Sequence, residues 1–158
     1  ALLSAHRPEH RPVSDTSQPV ARVVEFYETL SPASLARIAE VYAADARFKD
    51  PFNEVCGLPA IEKVFRHMYE QVQAPRFRVT QRMGEGDEAW LAWEFEFHFR
   101  GWKEAELQCI RGATHLRFAA DGRVIAHRDY WDSGEELFSR LPLVGTLVNW
   151  LRRRMSAA

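Results

Sequence analysis

Residues 124–132 read Val-Ile-Ala-His-Arg-Asp-Tyr-Trp-Asp, and the rest of the chain is organised around this stretch. Branched and aromatic residues that follow the turn signal Asp121-Gly122 are typical of a β-strand entered from a hairpin. Alternate side chains of a strand share a face. One face should therefore carry Ile125, His127, Asp129 and Trp131. An ionisable pair among apolar and aromatic side chains is the composition of a pocket wall, although a sheet edge with solvated His127 and Asp129 fits the pattern equally well.

Length and charge limit the class of protein. The chain has 158 residues, enough for one domain with its own core. Its 21 Lys and Arg balance 22 Asp and Glu, so we expect no nucleic-acid partner. Cys56 and Cys109 lie far apart, which favours a reducing compartment over a disulfide framework. Without a long apolar run or a signal-peptide pattern, the sequence predicts a soluble, cytoplasmic protein.

The pattern of apolar residues divides the chain into three parts. Residues 1–18 have few apolar groups and are expected to form a disordered arm. Residues 19–134 form the predicted domain, which opens with three helices marked by apolar spacings of three and four. The predicted inward positions are Val20, Val23, Val24 and Tyr27, then Leu35, Ile38, Ala39 and Tyr42, then Ile61, Val64, Phe65, Met68 and Val72. Residues 135–158 form a helical tail.

Alternation replaces helical spacing after Pro75 and predicts a series of strands. A short extended piece at residues 47–51 comes earlier, ahead of Pro51, and 104–118 is expected to be a long strand. The clearest strand is 88–100, where one face carries Leu91, Trp93, Phe95, Phe97 and Phe99. Phe77, Val79 and Met83 should point inward from the strand before it. Helices followed by antiparallel strands predict an α+β domain, with the helices on one face of a strongly bent sheet and a pocket between the two layers.

Two motifs with the letters of functional sites are better explained by structure. Residues 84–89, Gly-Glu-Gly-Asp-Glu-Ala, match a dinucleotide fingerprint, but a strand follows and the carboxylates would repel pyrophosphate, so we predict a hairpin. The six histidines lack zinc spacing, and a metal at His127 and Asp129 would need Asp50 as a third ligand. We therefore expect no metal and no cofactor. Cys56 has no neighbouring histidine that would make it a nucleophile.

Several stretches together resemble the nuclear transport factor 2-like superfamily. They are residues 42–52 (Tyr-Ala-Ala-Asp-Ala-Arg-Phe-Lys-Asp-Pro-Phe), Gly57 opening a helix, Leu116-Arg117-Phe118, Asp121-Gly122-Arg123-Val124 and Tyr130-Trp131. The resemblance covers residues 20–133 and is strongest to ketosteroid isomerases, SnoaL-like polyketide cyclases and limonene epoxide hydrolases. It implies a cone in which three helices close one end of a curved antiparallel sheet around a cavity, and it implies a homodimer. An outer sheet face with Arg100, Arg111 and His115 is the expected contact surface.

The resemblance transfers only part of each relative's site. Asp50 matches the aspartate with which the isomerases move a proton. Phe26, Phe65 and Thr114 stand where those enzymes carry two tyrosines and a protonated aspartate. Tyr27 is adjacent but should point another way on its helix.

The match to the epoxide hydrolases centres on Asp129, which corresponds to their water-activating aspartate. Trp93 and Phe95 replace the hydrolases' arginine and second aspartate. Polyketide cyclases use a similar inward-facing carboxylate as acid or base and need fewer supporting residues around it.

These observations give a set of predicted site residues. We expect Asp50, His127 and Asp129 to be catalytic, and we expect Tyr42, Trp93, Phe95, Thr114 and Trp131 to contact a small hydrophobic ligand. A carboxylate in apolar surroundings is a usable acid or base near neutrality. The sequence leaves two alternatives: an isomerase, cyclase or hydrolase with carboxylate chemistry, or a non-catalytic module that binds an apolar ligand or a protein.

The tail carries an apolar stripe and a basic end. The stripe consists of Leu137, Leu141, Val144, Val148, Leu151 and Met155, and Arg152, Arg153 and Arg154 form the basic end. Pro142 should break the helix. The stripe could pack on the domain or a dimer mate, or it could lie in a membrane surface with Trp150 at headgroup depth.

Overall fold

The structure is a computed structural model that describes residues 16–101, 103–141 and 143–156. Most of the predicted N-terminal arm, residues 1–15, and also Pro142 lie outside the described residues. The first helix begins at Ser17, so the last two residues of the stretch predicted as an arm are helical.

Three helical segments precede the main strands. They are α1 (Ser17–Glu28), a 3-10 turn (Ser34–Arg37) that continues into α2 (Ile38–Val41), and α3 (Leu58–Gln71). The strands are β1 (Tyr42–Lys49), β2 (Glu54–Cys56), β3 (Val72–Glu85), β4 (Glu88–Phe99), β5 (Gln108–Phe118) and β6 (Val124–Tyr130). The tail contains α4 (Ser133–Glu136), a second 3-10 turn (Phe138–Arg140) and α5 (Val144–Met155).

The strands form one six-stranded curved sheet in the order β2-β1-β6-β5-β4-β3. Neighbours pair antiparallel except β1 and β6, which run parallel. Helix α1 packs on β3, and α3 packs on β1 and β3. The α+β cone predicted from the sequence is confirmed, with one parallel pair in an otherwise antiparallel sheet.

The core lies between the three helices and the concave face of the sheet. Helix α1 buries Val20, Val23, Phe26 and Tyr27, and α3 buries Ile61 and Phe65. On β4 the alternate residues Leu91, Trp93 and Phe97 are buried. Because each fully buried aliphatic or aromatic side chain contributes roughly 1.5–3 kcal/mol, this double layer is what holds the cone together.

Tyr42 begins a strand, whereas the spacing predicted a helical position for it. Its backbone is extended (φ −107°, ψ 142°), and α2 before it has only four residues. Along β1 the buried side chains Ala46 and Phe48 alternate with exposed neighbours. The strand therefore begins five residues before the predicted extended piece at 47–51, although alternating burial starts only at Ala46. The exposed three-residue strand β2 was not predicted.

Met83 was expected to face inward but is 72% exposed. The pairing of β3 with β4 shifts between Val79 and Gln81, and such a bulge moves the following side chains to the opposite face. Strand β5 also starts later than predicted, at Gln108 instead of residue 104. The predicted hairpin at Gly86, with φ +63°, joins β3 to β4 as expected.

Candidate active site

A cavity of about 420 Å³ lies between the helices and the sheet. Its volume suits a small organic molecule. Half of the lining residues are aromatic: Tyr27, Phe48, Phe52, Phe65, Phe77, Trp93, Phe95, Phe97, Phe99 and Trp131. Asp50 and Asp129 also line it, so the two predicted carboxylates open onto the same cavity.

Asp129 is held by the two strands beside its own. Its partner across the β5–β6 pair is Thr114, whose hydroxyl forms a short hydrogen bond to Asp129 Oδ1. The indole Nε1 of Trp93 on β4 donates to Thr114 Oγ1 at 2.8 Å. Thr114, which was predicted to contact the ligand, is buried and does not line this cavity.

His127 supports the same carboxylate oxygen from β6. Its Nε2 lies 2.9 Å from Asp129 Oδ1, and its Nδ1 lies 2.9 Å from the hydroxyl of Tyr42. The imidazole is stacked on Phe48, with ring centroids 4.6 Å apart, and the residue is 3% exposed. His127 therefore points to the predicted face but lies in the layer behind Asp129, without lining the main cavity.

Tyr27 and Tyr42 complete this hydrogen-bonded chain. Their hydroxyl oxygens lie 2.5 Å apart, and that of Tyr27 is also 3.4 Å from His127 Nδ1. The prediction that Tyr27 points away from the site is wrong, because α1 lies so deep between the layers that both residue 26 and residue 27 are buried. Tyr42, predicted to contact the ligand, is instead fully buried behind the cavity.

The protonation states follow from burial and bonding. Burial raises the pKa of Tyr27 and the pKa of Tyr42 well above the ordinary value of 10, so both phenols stay neutral and can donate. The three shortest contacts of this chain are consistent with Tyr27 donating to Tyr42, Tyr42 donating to His127 Nδ1, and His127 Nε2 donating to Asp129 Oδ1. Within the described part of the chain, every hydrogen bond to this carboxylate reaches Oδ1, which leaves Oδ2 available to a ligand.

Asp50 has a different environment. Its Oδ1 accepts from the backbone N–H groups of Phe52 and Asn53 at 2.7 and 2.6 Å, and the Asn53 amide donates to both carboxylate oxygens at 3.0 and 2.9 Å. These bonds close the turn between β1 and β2. Both oxygens of Asp50 are thus occupied by the turn, although the residue stands at the cavity wall.

Aromatic side chains from two loops meet at the cavity edge. Phe52, 56% exposed, lies with its ring 5.4 Å from that of Trp131 and 6.3 Å from that of Phe138. Leu137 of the tail lines the same cavity. Sequence reasoning missed Phe52, Asn53 and Leu137, because nothing in their spacing indicates that these loops converge.

A second, much smaller cavity of about 20 Å³ adjoins Asp129. Its polar lining comes from Tyr27, Thr114, His127 and Asp129. A single water molecule needs roughly 10–15 Å³ and two to four polar partners, so this side cavity can hold one.

Metal-ligating groups come close together at one place among the described residues, on the other face of β4. They are Glu94, Glu96 and Cys109. Arg78 and Arg111 both pair with Glu94, so its charge is already compensated. At the cavity, the occupied oxygens of Asp50 make it a poor third ligand beside His127 and Asp129.

Comparison with known proteins assigns the family. A family model described as a SnoaL-like domain matches residues 23–127, which is most of the chain. This protein belongs to the SnoaL-like domain family. A search of curated proteins gave no match.

Solved structures share the fold at low sequence identity. A protein from Catenulispora acidiphila with a ketosteroid isomerase-like fold, crystallised with trimethylamine, is 17% identical, with a TM-score of 0.65 over 77% of this chain and 90% of that one. A proposed hydroxylase from Streptomyces galilaeus is 18% identical, with a TM-score of 0.63 over 83% and 96%. A protein from Shewanella putrefaciens, provisionally named a SnoaL-like polyketide cyclase, is 18% identical, with a TM-score of 0.61 over 73% and 90%. At these identities the likeness concerns the nuclear transport factor 2-like fold.

Proposed function

We propose that this SnoaL-like protein is an acid–base enzyme that transfers a proton on a small hydrophobic molecule, with Asp129 as the transferring group. The observation that carries the proposal is the asymmetry of this carboxylate. Thr114 and His127 both bond to Oδ1, while Oδ2 is left for a ligand in a cavity with aromatic walls. A fixed carboxylate with one available oxygen is well arranged for general base catalysis.

In the proposed reaction Asp129 Oδ2 takes a proton from a carbon next to a substrate carbonyl. The resulting carbanion either takes the proton back at another carbon, which is an isomerisation, or attacks a second carbonyl of the same molecule. In the second case the alkoxide takes the proton from Asp129, a ring closes and the carboxylate is restored. The provisional name of the Shewanella putrefaciens neighbour, a polyketide cyclase, supports the ring-closing version.

The other predicted residues take supporting roles. His127 holds Asp129 in position through its hydrogen bond to Oδ1, and Tyr42 fixes the tautomer of His127. Trp93, Phe95 and Trp131 contact the substrate and exclude water. Asp50 shapes the cavity edge through its turn instead of moving a proton.

A second candidate reaction is hydrolysis, which the small side cavity favours. A water held there would lie between Asp129 and the neutral hydroxyl of Tyr27. Asp129 would remove a proton from that water as the water oxygen attacks an epoxide carbon in the main cavity. The C–O bond of that carbon breaks, and the released oxygen takes the proton from Asp129, which restores the carboxylate.

The test begins with native mass spectrometry of the purified protein, which identifies any ligand that copurifies. Compounds of that class, together with a panel of cyclic ketones, poly-β-ketones and epoxides, are then incubated with the protein in D₂O. Deuterium at a carbon next to a carbonyl supports the carbon-acid reaction, and a diol supports hydrolysis. Asp129→Asn should abolish either product, whereas Asp45→Asn, at an exposed aspartate of β1, should change neither.

A ligand that binds without deuterium exchange or turnover would overturn the enzyme proposal and favour a non-catalytic binding module. Equal activity of the wild type and Asp129→Asn would instead move the chemistry to another group.

We also propose a homodimer formed through the outer face of the sheet. Trp90 is 41% exposed and stacked on His115 at 4.7 Å, and Tyr130 is 42% exposed with its ring 5.6 Å from that of Trp90. Such an exposed aromatic patch is typical of an interface core. Light scattering after size exclusion should give the mass of a dimer for the wild type and of a monomer for Trp90→Glu. Leu107→Glu, at an exposed site in the loop before β5 and far from Trp90 along the sheet, is the control that should stay dimeric. A Trp90→Glu dimer would exclude this face.

A further inference from the structure

Helix α5 packs against the tail segment before it, residues 135–140, with its small and polar side inward. Gly145 is buried against Ser139, so closely that a Cβ at this position would lie 2.4 Å from the Ser139 carbonyl oxygen. Asn149 Nδ2 donates to the same carbonyl at 3.4 Å, and Arg152 pairs with Glu135 at 3.0 Å. These contacts fix the orientation of the helix on the 3-10 turn before it.

The apolar side of α5 consequently faces outward. The exposed side chains there are Leu143 (88%), Val144 (46%), Leu147 (57%), Trp150 (49%), Leu151 (44%) and Met155 (85%). Successive residues of an α-helix are rotated by about 100° around its axis. The exposed apolar side chains from Val144 to Met155 therefore fall within an arc of roughly 140° around α5. Packing on the domain therefore does not cover three of the six predicted stripe residues, Val144, Leu151 and Met155. A continuous exposed apolar surface of this kind marks an interaction site.

The charge around this arc has a single sign. Residues 144–158 contain no aspartate or glutamate, and Arg152, Arg153 and Arg154 follow one another near the end of the helix. The guanidinium of Arg154 lies 5.7 Å from the ring centroid of Trp150. An anionic bilayer surface offers acyl chains to the apolar side chains, the headgroup region to tryptophan and phosphates to arginine. The apolar arc of α5 with Trp150 and Arg154 beside it matches this order.

The size of the arc favours lipid over a second copy of this chain. A helix of 12 residues is only about 18 Å long and about 10 Å wide, so it presents on the order of 200 Å². A stable protein interface buries about 800 Å² per partner. Binding to a bilayer surface requires no such minimum area. The helix inserts its apolar side between the lipids, and electrostatic attraction adds to the free energy of apolar burial.

We propose that α5 binds the surface of membranes rich in anionic lipid, with its axis parallel to the membrane and its outward arc between the headgroups. None of the described helices is long and apolar enough to cross a membrane, so α5 lies on the surface. The proposal rests on the contacts of α5 alone and is independent of the chemistry at Asp129.

The test is flotation of the full chain with vesicles of equimolar phosphatidylcholine and phosphatidylserine at low salt. We expect binding to these vesicles, weaker binding at high salt and little binding to pure phosphatidylcholine. Leu147→Glu/Leu151→Glu should reduce binding at least tenfold. Arg153→Gln/Arg154→Gln should reduce it by about 25-fold, since each arginine near an anionic surface contributes roughly fivefold.

Two controls separate membrane binding from unfolding and from general charge. Arg76→Gln/Arg82→Gln removes the same charge from exposed sites on β3 and should leave binding unchanged. Far-UV circular dichroism should show an unchanged fold for all three variants. The proposal is overturned if the wild type does not bind anionic vesicles at low salt, if the control variant loses as much binding as the α5 variants, or if the α5 glutamates only convert a dimer into a monomer.

Discussion

At the scale of single residues, the two carboxylates at the cavity differ in what their oxygens bind. Asp129 directs one oxygen to Thr114 and His127, and its second oxygen has no partner among the described residues. Asp50 uses both oxygens to hold its own turn. This difference predicts opposite consequences when each carboxylate is replaced.

Asp129→Asn should lower turnover at least about a hundred-fold, because an amide keeps the shape of the side chain but cannot accept a proton. Deuterium uptake into the substrate, measured by mass spectrometry, follows the loss directly. Ligand affinity should change little, so a comparable loss of affinity would mean that Asp129 binds the ligand instead of transferring a proton.

Asp50→Ala should act on stability. It removes the acceptor of the two backbone N–H groups in the turn and of the Asn53 amide, and we expect the free energy of unfolding to fall by about 1–3 kcal/mol. Urea denaturation monitored by tryptophan fluorescence measures this, with Asp45→Ala as the exposed control. Unchanged stability together with lost turnover would return Asp50 to the catalytic role first predicted for it.

At the scale of elements, the register of β4, β5 and β6 determines the site. It places Trp93 opposite Gly112 and Thr114 opposite Asp129. A Cβ on Gly112 would lie 2.5 Å from ring atoms of Trp93 and 3.0 Å from Trp131 Cβ. The missing side chain of Gly112 is thus what allows the Trp93 indole to lie flat against β5 and reach Thr114.

Gly112→Ala should destabilise the protein by about 1–3 kcal/mol and weaken ligand binding, because the added methyl displaces the Trp93 indole from the cavity wall. Trp93→Phe makes room for the added methyl. The double variant should therefore lose less free energy of unfolding than the sum of the losses of the two single variants. Urea denaturation of the wild type, the two single variants and the double variant measures the coupling free energy between the two positions. Strictly additive effects would show that Gly112 and Trp93 do not compete for the same space.

At the scale of the whole molecule, one hydrogen-bonded chain connects α1, β1 and β6. It runs from Tyr27 through Tyr42 to His127 and Asp129. Since burial raises the pKa of both tyrosines, the folded state keeps two protons that the unfolded chain releases above its ordinary tyrosine pKa of 10. The global stability therefore depends on pH in the alkaline range.

Below pH 10 these phenols are protonated in both states and contribute no pH dependence. As the pH rises above 10, the unfolded state alone loses their protons, so the free energy of unfolding should fall by up to ~1.4 kcal/mol per pH unit for each tyrosine. Tyr42→Phe should reduce this slope by the contribution of one tyrosine, ~1.4 kcal/mol per pH unit at most. Phe26→Leu, which changes a buried ring that has no phenol, should not. Equal slopes for both variants in urea denaturation between about pH 9 and pH 11 would contradict the buried-phenol explanation.

The sequence by itself determined the class of fold and identified part of the cavity lining. Period-two alternation along 88–100 and 124–132 identified the inward faces of two strands, because side-chain direction in a strand is a local property of the backbone. The same alternation placed Trp93, Phe95, Asp129 and Trp131 at the cavity. The separation of apolar and basic groups in the tail was also visible in the sequence.

Tertiary structure decided which groups act together. The direction of the Tyr27 side chain depends on how deeply α1 lies between the layers. The hydrogen bonds that Asp50 accepts depend on the turn between β1 and β2. The exposure of Met83 depends on one bulge in the pairing of β3 with β4. The outward orientation of α5 likewise results from the fit of Gly145 against Ser139. These features depend on distances between segments far apart in the chain, and periodicity within one segment carries no information about such distances.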